Sequence, residues 1–215
     1  MSRKKSNIYS SEVPEPTLRR LPWYLAHVKS LYTDGVEMVS STGIARAIGI
    51  DSALVAKDLS FVQLSGKTRV GYRVENIVTV LEDFLGFTNQ HQAYIFGVGS
   101  LGAALISDKG LSQYGLNIVG GFDIRQDICG KDISGIPIYH MSELPERTTP
   151  NVTIGILTVP TQQAQQVCNQ IIDAGIRAIW NFTPCRITVP ENVVVQNTSL
   201  YAHLAVMFNR LKAQE

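Results

Sequence analysis

Cysteine is scarce in this chain: Cys129, Cys168 and Cys185 are the only three among 215 residues. An odd number without close spacing excludes a disulfide framework and a thiolate zinc cluster, and leaves the thiols as inert packing groups. Long apolar runs are missing too. The longest are strand-sized, short of the roughly 18 residues that a membrane span needs, and Met1-Ser2-Arg3-Lys4-Lys5-Ser6 lacks an apolar segment of signal-peptide type. The expectation is a cytoplasmic protein with no membrane partner. Histidines 27, 91, 140 and 203 are dispersed with no metal-ligand spacing, so no metal is expected. Net charge is small, +1, but residues 1–73 hold 11 Lys and Arg against 6 Asp and Glu. A basic front half suits an anionic partner such as DNA.

What is present is organised around Tyr94-Ile95-Phe96-Gly97-Val98-Gly99-Ser100-Leu101-Gly102, an apolar run that breaks into Gly-x-Gly-x-x-Gly. The pattern reads as a strand feeding a dinucleotide-binding turn. Its first glycine permits the turn, the second lets backbone approach a pyrophosphate, and the third lets the next helix pack on its strand. A second run, Leu116 to Phe122, ends in Asp123, about 20 residues beyond the last glycine, where an acid accepts hydrogen bonds from an adenosine ribose. No arginine immediately follows Asp123, which favours NAD over NADP.

Ahead of this region the periodicity is helical. Leu18, Leu21, Leu25, Val28 and Leu31 form the stripe of a helix starting near Thr17, with Pro22 placed near its first turn and Asp34-Gly35 at its end. Ser40-Ser41-Thr42 caps a short helix that Gly49 stops, and Asp51-Ser52 caps the next, which carries Leu54, Val55, Leu59 and Val62 inward and Lys57 outward. The glycine-bounded basic stretch from Gly66 to Val74 follows as a hairpin. A helix pair followed by such a hairpin describes a winged helix-turn-helix, although a three-helix packing module with a charged loop has the same pattern. A further helix, Val74 to Leu85, leads to a linker over residues 86–90, while the first dozen residues read as a polar arm.

Beyond Asp123 the chain alternates. Ile136 to Tyr139, Val152 to Val159, Ile176 to Trp180 and Val193 to Val195 read as strands, and Pro160 opens a helix reaching Ala174-Gly175. This implies an α/β fold with a parallel sheet covered on both faces and ligands at the strands' carboxyl ends, where Thr158-Val159-Pro160 and Asn181-Phe182-Thr183-Pro184 lie. The tail helix around Leu200, Leu204, Met207, Phe208 and Leu211 is apolar enough to need burial, on its own domain or on a second subunit.

In this order the motifs resemble the Rex family of redox-sensing transcriptional repressors over nearly the whole chain. The matching residues include Arg19-Arg20-Leu21-Pro22, Lys57-Asp58-Leu59-Ser60, Val70-Gly71-Tyr72, the glycine fingerprint, Gly121-Phe122-Asp123, Leu157-Thr158-Val159-Pro160 and Asn181-Phe182-Thr183-Pro184. The resemblance implies a winged-helix DNA-binding domain over 1–86, a Rossmann NAD(H)-binding domain over 87–198, and a C-terminal helix over 199–215 swapped onto the partner of a homodimer. It implies a palindromic double-stranded DNA operator released by NADH, with NAD competing. Candidate cofactor-binding residues are Gly97, Val98, Gly99, Ser100, Leu101, Gly102, Asp123, Thr158, Val159, Pro160, Asn181, Phe182, Thr183 and Pro184. Candidate DNA contacts are Ser41, Ser52, Ala53 and Lys57 on the helix pair, with Lys67 and Arg69 in the wing. Arg20 and Ser199 stand at the positions that couple the two halves. Departures from the family pattern fall at Ala56, at Val62-Gln63 in place of an aromatic-glycine pair, at Thr68-Arg69 in place of Arg-Gly, and at Ser100, Asp108 and Ser199, the last replacing an aspartate.

Two alternatives remain at this point: a winged-helix regulator with a weakened or lost NADH response, and a small NAD-dependent oxidoreductase. A hydride-transfer enzyme needs an acid-base residue beside a substrate pocket. After the dinucleotide domain only one helix remains, and the spacing of His203, Tyr201 and Lys109 does not assemble such a site. No catalytic residue is therefore expected.

Overall fold

The computed structural model describes residues 13–214, which divide into two compact units between Asn89 and Gln90. The expected N-terminal arm lies outside the described residues. The first unit is built on α1 (Glu15–Thr33), α2 (Ser41–Ile48), α3 (Ser52–Phe61) and α4 (Val74–Phe84), with a two-stranded antiparallel sheet of β1 (Met38–Val39) and β2 (Tyr72–Arg73). Helix α1 starts earlier than the stripe suggests, so Pro22 sits in its interior rather than near its first turn. The missing N–H at Pro22 costs roughly 3 kcal/mol. Burial of Leu21, Tyr24, Leu25 and Val28 around it offsets this, each large side chain contributing about 2 kcal/mol.

Local chemistry defines the next two helices. The Ser40 side chain accepts from Gly43 N at 3.0 Å, Gly49 ends α2 in the left-handed region, and Asp51 accepts from Ala53 N at 2.8 Å and Leu54 N at 3.2 Å to start α3. Ile44, Val55, Leu59, Ile77 and Leu81 close one core with the buried face of α1.

The second unit holds a seven-stranded sheet. Its elements are β3 (His91–Phe96), α5 (Ser100–Ser107), the single turn α6 (Gly110–Gln113), β4 (Leu116–Asp123), β5 (Asp132–Ile133), β6 (Ile136–His140), the single turn α7 (Leu144–Arg147), β7 (Val152–Leu157), α8 (Ala164–Asp173), β8 (Ala178–Asn181), β9 (Val194–Asn197) and α9 (Leu200–Lys212). The order across the sheet is β5-β6-β4-β3-β7-β8-β9, parallel except for β5, which runs against β6. Without that edge strand it is the doubly wound dinucleotide-binding order, reversing between β3 and β7. Strand alternation explains the two cores: Tyr94 and Phe96 face Ala164, Val167 and Ile171 of α8, whereas Ala93 and Ile95 share the opposite cluster with Ile106 of α5. Strand β9 joins β8 in parallel without an intervening helix, a departure from the expected alternation.

Helix α9 differs from every other long helix. None of its residues is buried, and Leu200, Tyr201, Leu204, Val206, Met207, Phe208 and Leu211 are all exposed. Packing on its own domain, one of the two expectations, does not occur among the described residues.

Candidate dinucleotide site and nucleic-acid interface

At the point where the strand order reverses, the loops after β3 and β7 flank a cavity of about 510 Å³. Thr158 ties them together: its backbone N donates to Phe96 O at 2.9 Å and its hydroxyl to Gly97 O at 2.7 Å. The three fingerprint glycines have distinct surroundings. Gly97 has φ +91°, and a Cβ there would lie 2.8 Å from Val159 Cγ1; a Cβ on Gly102 would lie 2.3 Å from Gly97 O. Both are required by the protein itself. Gly99, which lines the cavity at the start of α5, has ordinary φ, and a Cβ added to it would meet nothing within 4 Å. The protein leaves that space open, and the free N–H groups of the helix start adjoin it, the arrangement that receives a pyrophosphate.

Asp123 closes β4 at the same edge and is only 8% exposed. One carboxylate oxygen accepts from Val98 N at 2.7 Å, which fixes the glycine loop; the other accepts from Arg125 N at 2.9 Å. Of the other expected cofactor residues, Thr158, Val159, Pro160 and Pro184 line the cavity with Gly97, Gly99 and Asp123. Val98 turns into the core, Ser100 and Leu101 lie exposed on the first turn of α5, and Gly102 is buried beneath it. Asn181 and Thr183 are buried and bond to each other at 2.7 Å, while Phe182 packs on Trp180, so these three shape the loop behind Pro184. The sequence reading missed Ile124, Arg125, Met141, Thr161, Gln163 and Tyr201, all of which line the cavity. Arg125 carried a usable signal, standing two positions beyond Asp123.

In the first unit, Ala53 and Lys57 lie one turn apart and exposed on α3, Ser52 is half-buried at its start, and Ser41 opens α2. Lys67, Thr68, Arg69 and Val70 form an exposed turn, closed by Lys67 N to Gly71 O and Gly71 N to Lys67 O, each 2.9 Å. Arg69 has φ +64° and Gln63 φ +60°, a backbone region that favours glycine. These are the two positions where the family pattern has glycine. Arg46 on α2 and Arg73 on β2 add exposed cations that the sequence reading did not single out.

Arg20 and Ser199, the expected coupling pair, are each engaged within their own unit. Arg20 donates to the buried Asp58 of α3, and Ser199 caps α9 by accepting from Ala202 N at 3.2 Å. Burial alone pushes the Asp58 carboxyl up, but hydrogen bonds from Arg20, Tyr24 and Thr17 outweigh it and hold it below the ordinary carboxylate range. The same bond to Asp58 raises Arg20, and burial followed by Asp58 raises Tyr24.

Fold and site together define a winged helix-turn-helix joined to a Rossmann dinucleotide-binding unit. Comparison with known proteins narrows that class. The chain matches a family model described as "CoA binding domain" over 88–185 and one described as "Putative DNA-binding protein N-terminus" over 12–60. It is 61% identical to the redox-sensing transcriptional repressor Rex of Porphyromonas gingivalis over 97% of this chain and 96% of that protein. It is 57% identical to the Rex of Bacteroides fragilis over 96% and 94% of the two chains. Among solved structures it resembles RSP bound to β-NAD+ and operator DNA, with TM-score 0.89, 29% identity and 95% of each chain covered. RSP bound to β-NADH matches with TM-score 0.85 at the same identity, over 95% of this chain and 97% of that one. The chain belongs to the Rex family of redox-sensing transcriptional repressors. Its relatives are regulators rather than enzymes.

Proposed function

We propose that this protein is a cytoplasmic repressor that holds a palindromic operator as a homodimer and releases it when NADH replaces NAD. The carrying observation is the open space over Gly99 beside Asp123, a cradle at the sheet's reversal that fits a dinucleotide. In this reading the start of α5 receives the pyrophosphate, Asp123 the adenosine ribose, and the loops at Thr158–Pro160 and Asn181–Pro184 flank the nicotinamide. The domains run over 1–86, 87–198 and 199–215. The exposed apolar face of α9 is covered by the partner subunit, and α3 with the Lys67–Gly71 turn meets the DNA.

A nucleotide releases DNA only so far as it binds the DNA-incompetent arrangement more tightly. Ser199 carries no charge with which to exchange for Arg20, and Asp58 already holds that guanidinium. These observations favour a second reading, in which release is less complete than the family norm. The test of both is a DNA-shift titration with NADH and NAD, alongside calorimetry of each nucleotide. Full release by NADH removes the second reading; absence of nucleotide binding removes the first.

A further inference from the structure

A group bonded to the acid that holds a nucleoside ribose lies within reach of the base on that ribose. Here the group is Arg125, which lines the cavity beside the exposed Ile124. Its Nη2 donates to Val98 O at 2.7 Å, its backbone N donates to an Asp123 oxygen at 2.9 Å, and Nε lies 3.4 Å from that same oxygen. One edge of the guanidinium is thus tied to the glycine loop and to the acid, which fixes its plane, while half of the side chain stays open. Asp123 is not used up. A carboxylate accepts about four hydrogen bonds, and the three N–H groups on it leave room for a ribose hydroxyl. Of the aromatic rings in the lining, Phe96 and Phe122 are fully buried and stacked on each other with centroids 5.4 Å apart, and Tyr201 stands on α9. The flat group tied to Asp123 is therefore the guanidinium.

On the dinucleotide reading of this site, on which the inference rests, we propose that Arg125 is a specificity-determining residue whose guanidinium stacks on the adenine of NAD(H) and selects a purine over a pyrimidine. Arginine suits this because its guanidinium is planar, weakly hydrated and attracted to the face of an aromatic ring. Face and edge do not compete. Stacking uses the face, so the N–H edge keeps Val98 O and Asp123, and the base is met by a group already held in place. Such a platform responds to ring area rather than to the hydrogen-bonding edge of the base, and Ile124 extends it with apolar surface.

The experiment is a calorimetric titration of the full chain with NADH and with reduced nicotinamide–cytosine dinucleotide, which differs only in the base, repeated on Arg125→Ala and Arg125→Lys. The wild type should bind NADH about fivefold or more tightly than the cytosine compound, because a pyrimidine covers less of the platform. Arg125→Ala should weaken NADH by about tenfold, the size of a partly desolvated cation–π contact, and the cytosine compound by less, so that their ratio falls by about threefold. Arg125→Lys keeps the charge but not the plane, and its ratio should fall in the same direction. A ratio retained in Arg125→Lys assigns the effect to charge alone and overturns the inference. An equal loss for both compounds shows that Arg125 merely holds the glycine loop, and overturns it while leaving the cofactor reading intact, as does NADH affinity unchanged in both variants. A wild type that binds the two compounds within about twofold overturns it whether or not the variants fold. Failure of both compounds to bind the wild type removes the cofactor reading and this inference with it.

Discussion

The Asp58 carboxylate of α3 is gripped by the Arg20 guanidinium of α1, Nε to Oδ2 at 2.6 Å and Nη2 to Oδ1 at 2.8 Å. Tyr24 and Thr17 donate to the same carboxylate, which is 1% exposed. Three side chains of the first helix thereby fix the register of α3 against α1.

Removing one partner from a buried ion pair is costly. Arg20→Ala should destabilise the first unit by about 3 kcal/mol, and Asp58→Asn, which keeps the shape, by less. The folded carboxyl lies below its unfolded value, so its contribution is present above roughly pH 4 and is lost as pH falls below it. Tyr24 is shifted upward, so its contribution persists below about pH 10 and is lost only at higher pH. Chemical denaturation of wild type and variants across pH 3–7, read by helix circular dichroism, measures the carboxylate effect, and an extension above pH 10 the tyrosine one; a pH-independent difference between wild type and Asp58→Asn would contradict the assignment.

Gly99 separates a ligand requirement from a folding one. Since a side chain there meets no protein atom, Gly99→Val should leave the melting temperature near that of the wild type while sharply weakening NADH binding. Asp123→Ala should weaken it by about ten- to a hundredfold, one charged acceptor being worth roughly 1.5–3 kcal/mol. Fluorescence titration of NADH reads both, and unchanged affinity in the two variants would dismiss the site.

The two left-handed non-glycine residues give opposite readouts. Gln63→Gly should raise stability by up to about 1 kcal/mol through relief of backbone strain, with no effect on DNA. Arg69→Gly should relieve the same strain yet weaken operator binding, because the wing loses a cation. Lys67→Ala should lower affinity for all sequences and flatten the salt dependence by about one unit. Operator titrations over a salt series distinguish these outcomes, and an unchanged salt slope in both wing variants would show that the turn does not touch DNA.

Phe208 on α9 is 59% exposed with Leu204, Met207 and Leu211 beside it. Leu204→Glu with Phe208→Glu should convert the protein to monomers in sedimentation and abolish tight operator binding, since two half-sites need two wings. A dimer that survives both changes would place the interface elsewhere.

Ser199→Asp should preserve the cap on α9, because aspartate serves that position as well as serine, and should strengthen NADH-driven release by about fivefold per pair, the equivalent of roughly 1 kcal/mol. The gain should vanish when Arg20→Ala is added. Asp58 retains Tyr24 and Thr17 as donors if Arg20 leaves, which limits the cost of the exchange. A gain independent of Arg20 in a DNA-shift titration would assign the signal to another contact.

Whatever depends on near neighbours was legible in the amino-acid sequence. Helical stripes, the caps at Ser40 and Asp51 and the glycine fingerprint are local, because periodicity and turn chemistry act over a few residues, and the spacing to Asp123 is a count along the chain. Features that need distant residues to meet emerge only in the folded chain. The start of α1 and the tolerance of Pro22 follow from burial against α4 and the helix pair, and β5 and β9 hold their places through pairing rather than pattern. Asp58 could be read as part of a motif, but its partners Arg20, Tyr24 and Thr17 lie 34 to 41 residues away. Arg125 was visible two positions past Asp123, yet its turn back onto the Val98 carbonyl, 27 residues earlier in the chain, exists only because β3 and β4 lie side by side.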